Sequence, residues 1–260
     1  MNEVKGNALR LWLAWTRPLG RSLRDNEPAL IALCAPLGAL VGFAVVTMHE
    51  LVSAIHWLIY GIPIETSLSA ATGISWIRIA IVPALGGLVL GLLALLARRF
   101  RQREIIDPVE ANALFGGRMS LIESARLASA TLISNGVGAA LGLEAAFTQI
   151  GAGILSEAGQ RLRLRRGDLR VFVASGAAAA IAAAFNAPLA GAFYAFELIL
   201  GSYTPAALAQ VAMASLAGTL VMRSTVGTAP IFLVNAPAMT FQQWQYPLRS
   251  EEHTSELQSP

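Results

Sequence analysis

The first long stretch without a charged residue covers positions 29–48. As a helix it is long enough to cross about 30 Å of hydrocarbon. Asp25 and Asn26 stand ahead of it as candidate caps, and Pro28 suits a first helical turn. The pattern continues past Glu50 and His56, so one helix is predicted as far as Tyr60, with Trp57 and Tyr60 at an interface. Positions 61–73 read as a short loop. A second span is predicted over 76–97, interrupted only by Arg78 near its start, where an arginine can snorkel. From Asp107 onward the apolar segments become short and broken. One covers 127–143 and meets Glu144, and the next covers 145–155. A weakly polar stretch over 171–200 is broken by Asn186, Ala187 and Pro188, and 205–222 forms a further apolar helix. Helices too short to span, punctuated by Gly and Pro, are the pattern of broken helices meeting inside a membrane. Gly38/Gly42, Gly87/Gly91 and Gly138/Gly142 repeat at four-residue spacing and predict close helix packing.

Composition sharpens this picture. Of 260 residues, 55% are hydrophobic and 13% charged, and the mean hydropathy is +0.58. Soluble domains carry about 25% charged residues. The fold class predicted is therefore all-α, a polytopic membrane protein. The net charge of +3 is too small to imply a nucleic-acid partner. A single cysteine, Cys34, excludes a disulfide framework. Three histidines leave little material for a metal site, and no cofactor is expected. His49 and His56 lie seven apart on one helix face and read as an interfacial or packed pair. Residues 1–24 hold basic side chains and no spanning run, and the first long apolar run begins near Ala29, which predicts no cleavable signal peptide. Arg98, Arg99, Arg101 and Arg103 form one basic cluster, and Arg161, Arg163, Arg165, Arg166 and Arg170 form a second. The excess of positive charge on cytoplasmic loops puts both clusters and the N-terminus on the cytoplasmic side.

Residues 249–260 show no periodicity. The run RSEEHTSELQS resembles the translation of a common sequencing adapter, so 249–260 is expected to be a non-native tail, with a natural continuation beyond Leu248.

The segment GVGAALGLEAAFTQIGAGI, 136–154, carries the most specific chemistry. Glu144 lies in an apolar stretch at a predicted helix start. An ionisable residue there is costly and is a functional candidate. A helix N-terminus, with free N–H groups and partial positive charge, can hold either the Glu144 carboxylate or a small anion. The alternative is that Glu144 simply caps its own helix. The sequence leaves both open.

GLEAAFTQIG, together with SGAAAAIAAAFNAPLAGAFYAFEL at 175–198, resembles the CLC family of chloride channels and chloride/proton antiporters. Gly142, Glu144, Gln149, Ile150 and Gly151 match that family's G-[KR]-E-G-P and T-x-Q-I-G pattern. GAAAAIAAAFNAPLAG matches G-A-A-A-G-[LI]-A-A-A-F-N-A-P-[LI]-[AG]-G. The resemblance covers roughly 28–248 and implies the first of two inverted repeats. It implies a gating role for Glu144. Backbone amides at Ile106, Asp107, Leu143, Ala145 and Ala146 would then face the anion. Leu143 stands where the family has a basic residue, and Ala145 and Ala146 stand for Gly-Pro. The family's G-S-G-I-P motif falls at Glu104 to Pro108, where only Pro108 is kept and Ile105 replaces the serine. In the family's F-x-x-E-E pattern, Glu197 matches the first acidic position and Leu198 replaces the second, proton-carrying one. Glu197 is thus a possible proton-path residue, with a packing role as its plainer alternative.

The resemblance implies transport of chloride or a similar small anion, with weak or absent proton coupling. It also implies a homodimer through helices near 188–222, embedded in the lipid bilayer of the cell (inner) membrane. The domain reading is a cytoplasmic segment over 1–27, a membrane domain over 28–227 and an extracytoplasmic loop over 228–248 leading to a second repeat. This chain alone is expected to be inactive. No P-loop, G-x-S-x-G or H-E-x-x-H motif supports an enzyme. The rival readings are a proton-coupled antiporter and a membrane enzyme using Glu144 as general base.

Overall fold

The computed structural model describes residues 26–63, 68, 71, 73–97, 105–139 and 141–227. The expectations for 1–25, the Arg98–Arg103 basic cluster, Glu104, the loop over 228–248 and the tail over 249–260 lie outside the described residues. Every regular element among the described residues is helical. The helices are α1 (Glu27–Tyr60), α2 (Trp76–Ala97), α3 (Pro108–Leu114), α4 (Leu121–Gly136), α5 (Glu144–Arg161), α6 (Arg166–Phe185), α7 (Pro188–Tyr194) and α8 (Pro205–Thr225). A π-helical turn, Ala195–Leu200, follows α7 directly. Four of these, α1, α2, α6 and α8, are long and apolar enough to cross a membrane.

The sequence signals for helix ends act as predicted at several points. Asn26 caps α1, its side chain accepting from the Ala29 N–H, and Pro28 lies in the first turn. Asn186 ends α6 in the left-handed region at φ 53°, a conformation asparagine tolerates, and Pro188 opens α7. Other boundaries differ: α4 ends at Gly136 rather than 143, and α5 runs on to Arg161 rather than 155. Helix α4 starts at Leu121 rather than near 127, because Ser120 caps it by accepting from the Glu123 N–H. That Ser-x-x-Glu arrangement overrides the polar composition of the first turns. The stretch 188–200 is not one α-helix. It widens to π geometry at Ala195, marked by the five-residue bond from Gly201 N–H to the Phe196 carbonyl at 2.8 Å.

Helix α6 forms the centre, with Phe172 through Ala184 buried along its length. Its alanine-rich surface lets α5, α8 and α1 approach closely. Gly151 of α5 and Gly176 of α6 face each other's backbone. Gly38 and Gly42 of α1 rest on the backbone at Ala214 and Gly218 of α8. A Cβ at Gly42 would stand 2.6 Å from the Gly218 carbonyl oxygen. The packing role predicted for this pair is what the fold uses. The other two pairs differ: Gly87 and Gly91 on the exposed α2 face open space, and Gly138 lies in a turn at φ 90° against Tyr60. Arg78, at the start of α2, donates to the Tyr60 carbonyl at 3.3 Å, where the end of α1 leaves carbonyls without helical partners.

Candidate functional site

Glu144 is the first residue of α5. The preceding Leu143 supplies no side-chain cap, and the first bond of the helix runs from the Phe147 N–H to the Leu143 carbonyl at 2.9 Å. The amides of Glu144, Ala145 and Ala146 therefore precede the helix's own acceptors and remain as donors at its positive end. Glu144 and Ala145 are exposed, Leu143 is half-buried and Ala146 is fully buried. The Glu144 side chain turns back over Gly142, where a Cβ would collide with the carboxylate. In this arrangement the carboxylate occupies the space beside Gly142, and no unusual φ is involved there. Among the described residues, Glu144 enters hydrogen bonds through its main-chain carbonyl, which accepts from Thr148 Oγ1 at 3.0 Å. The carboxylate stands next to the helix end without an N–H bound to it.

Five residues further along α5, about 7.5 Å down its axis, Gln149 is 2% exposed. Its Nε2 donates to the Ile106 carbonyl at 2.9 Å and to Ser124 Oγ at 3.3 Å. This bond draws the 105–107 segment against α5 and so brings the start of α3 to the same side of the molecule. Gln149 entered the sequence reading only as a motif match. Its tethering role depends on a contact across 43 positions, which no local pattern reports.

Asp107 caps α3. Its Oδ1 accepts from the Glu110 N–H at 2.8 Å and its carbonyl from the Ala111 N–H at 2.8 Å. The carboxylate that would repel an approaching anion is therefore turned into the end of its own helix. Ile106 is half-buried, and Ile105 is exposed.

Glu197 and Leu198 sit in the π-helical turn and both are exposed. The turn is held from α3. Asn112, 1% exposed, donates from Nδ2 to the Ile199 carbonyl at 3.2 Å. His49 and His56 do not act as a pair. His49 stacks on Phe147 of α5 with ring centroids 5.1 Å apart. His56 Nε2 lies 3.2 Å from the Asn135 carbonyl, and its ring meets Tyr60 edge-on. Among the described residues no cluster of three or more His, Cys, Asp or Glu could hold a metal ion. The basic residues Arg161, Arg163, Arg165, Arg166 and Arg170 are all exposed around the α5–α6 turn.

A multi-pass helical membrane protein that combines spanning helices with short ones opened by Pro, and that carries an exposed carboxylate at the start of α5, belongs to the architectural class of channels and transporters. The family model "Voltage gated chloride channel" matches residues 104–249. The chain belongs to that family. "Voltage-gated ClC-type chloride channel ClcB" of Yersinia pestis is 31% identical over 194 residues, which is 74% of this chain and 47% of that protein. The ClcB protein of Escherichia coli strain K12 is 30% identical over 197 residues, 74% of this chain and 46% of that protein. The chain spans about half the length of the curated relatives it matches.

Proposed function

We propose that the complete protein moves chloride or a similar small anion across the cell (inner) membrane, with its N-terminus cytoplasmic and Glu144 as the gate. The observation that carries this reading is the Glu144 carboxylate, folded over Gly142 beside the donor end of α5 with no N–H bound to it. An anion and this carboxylate compete for the same amides, those of Glu144, Ala145 and Ala146 with Leu143 beside them. The amides of Ile106 and Asp107 complete the path on the α3 side, held there by Gln149. Names of the relatives, "Voltage-gated ClC-type chloride channel ClcB", support the choice of anion.

The protein acts as a homodimer. The faces offered for it are the exposed apolar residues of α7 and α8, among them Leu189, Phe193, Leu208, Leu216 and Leu220. The opposite face of α8 packs inside the chain against α1 and α6. A membrane enzyme with Glu144 as general base would need a second catalytic group beside it. The residues flanking it in sequence, Gly142, Leu143, Ala145 and Ala146, supply none.

Proton coupling is weak or absent. A proton crossing hydrocarbon needs successive titratable groups, and Leu198 cannot accept one. Glu197 is its neighbour in the π turn, but consecutive residues on a helix face different directions. The experiment is a liposome assay on the full-length protein with a chloride gradient and a pH electrode. Chloride efflux without a fixed proton ratio is the expected result. A fixed ratio that drives protons uphill overturns the uncoupled reading in favour of an antiporter, and absence of any anion flux overturns the transport reading itself.

A further inference from the structure

The segment 137–143 joins α4 to α5 and ends on Gly142 and Leu143, so its placement decides where the Glu144 side chain can go. Its first part is tied to the end of α1. Tyr60 is 5% exposed, and its hydroxyl donates to the Val137 carbonyl at 2.9 Å. His56, one turn earlier, places Nε2 3.2 Å from the Asn135 carbonyl. A carbonyl only accepts, so this nitrogen carries a proton and donates, whether the ring is neutral or charged. Gly138, at φ 90°, lies against Tyr60, where a Cβ would collide with the phenol oxygen.

Asn135 links this anchored part to the part that leads into Glu144. Its carbonyl accepts from the Gly138 N–H at 2.9 Å as well as from His56. Its side-chain Nδ2 donates to the Leu141 carbonyl at 2.7 Å, across six positions. The Leu141 N–H in turn donates to the Ala139 carbonyl at 2.8 Å. Gly142 follows at once, and the Glu144 carboxylate is folded over it.

The geometry points to Asn135 as a positioning residue for Glu144, on the reading that Glu144 is the gate: its bond to the Leu141 carbonyl passes the anchoring by His56 and Tyr60 on to Gly142, and so keeps the carboxylate beside the donor end of α5. Without that bond the 141–143 segment has more freedom, and the carboxylate leaves the amides more often. At neutral pH an anion then finds them free more often. At acidic pH the neutral side chain does not compete, so Asn135 has little to position. Other charged or titratable groups on the surrounding helices are engaged or distant. His49 stacks on Phe147, with Glu50 exposed beside it, and Arg78 is bound to the Tyr60 carbonyl. Asp107 caps α3 with Glu110 in its first turn, and Glu123 pairs with Arg126 at the start of α4. Glu157 and Arg161 pair at the far end of α5, where Arg166, Asp168 and Arg170 begin α6.

The test is chloride efflux from liposomes holding the full-length protein, at acidic and at neutral pH. Asn135→Leu keeps the side chain's shape without the N–H, and Asn135→Ala removes both. In each, the ratio of acidic to neutral flux is expected to fall about twofold to tenfold below the parent's, the weight of one hydrogen bond, through higher flux at neutral pH. Added to Glu144→Gln, Asn135→Leu is expected to leave flux unchanged, since no carboxylate remains to be positioned. A ratio equal to the parent's in either single variant overturns the positioning role. So does a loss of flux by the same factor at both pH values, which is what a residue that only supports the fold would give. Flux in Glu144→Gln alone that follows pH as in the parent overturns the gate reading itself, and the role of Asn135 with it.

Discussion

Gly42→Leu is expected to destabilise the protein by about 3 kcal/mol or more, while Gly87→Ala leaves it unchanged or slightly firmer. The two glycines look alike in sequence: each opens or closes a pair of small residues four apart on an apolar helix. The fold separates them. A side chain at Gly42 meets the Gly218 carbonyl oxygen at 2.6 Å and the Gly218 Cα at 2.9 Å, and backbone cannot rotate out of the way. The neighbouring contact, Gly38 on Ala214, would be pried open with it. At Gly87 no atom stands within 4 Å of the added Cβ, so alanine there gains helix propensity at no packing cost. Thermal melting of the detergent-solubilised full-length protein reads both. A Gly42→Leu midpoint equal to the parent's would show that α1 and α8 do not pack through these glycines.

The second large effect concerns this chain by itself. Residues 1–248 reconstituted alone are expected to insert in the membrane yet give chloride flux at background level. On the proposed site, the start of α5 and the segment at Ile106 and Asp107 would enclose an anion from one side only. Helix α2 points the same way. It is long and apolar enough to span, yet none of its apolar window is buried among the described residues. Anion release from liposomes, compared with protein-free vesicles, decides the matter. Release well above that background from the purified fragment would mean that this half already contains a working pathway.

The parts of the fold legible in the sequence are those governed by short-range physics. An uncharged run sets the length of α1, Asn26 and Pro28 set its start, and Asn186 with Pro188 sets the break between α6 and α7. The start of α4 was legible as well, in Ser120 and Glu123, but a reading by hydropathy passes over a polar first turn. The π turn at Ala195–Leu200 was not legible. Its sequence, AFELIL, suits an α-helix equally, and its shape is supported by Asn112 from a helix far away in the chain. The same holds for the site. Glu144 stands out because a carboxylate in an apolar run is costly. Gln149 does not, because its worth lies in the Ile106 carbonyl that folding brings to it. Spacing alone could not distinguish Gly42, which touches a helix, from Gly142, which makes room for a carboxylate.

Glu144 is the residue on which the functional account depends, and the pH dependence of anion flux tests it most directly. Chloride efflux from liposomes holding the full-length protein should be measured across the acidic to neutral range for the parent, Glu144→Gln and Glu144→Ala. If Glu144 gates the path as proposed, flux in the parent is expected to rise as pH falls, because a neutral side chain does not compete with an anion for the amides at the start of α5. Neither glutamine nor alanine carries a titrating charge, so both variants are predicted to pass chloride at a rate that no longer changes with pH. Flux that follows pH in both variants as it does in the parent would contradict the account, and Glu144 would not be the gate.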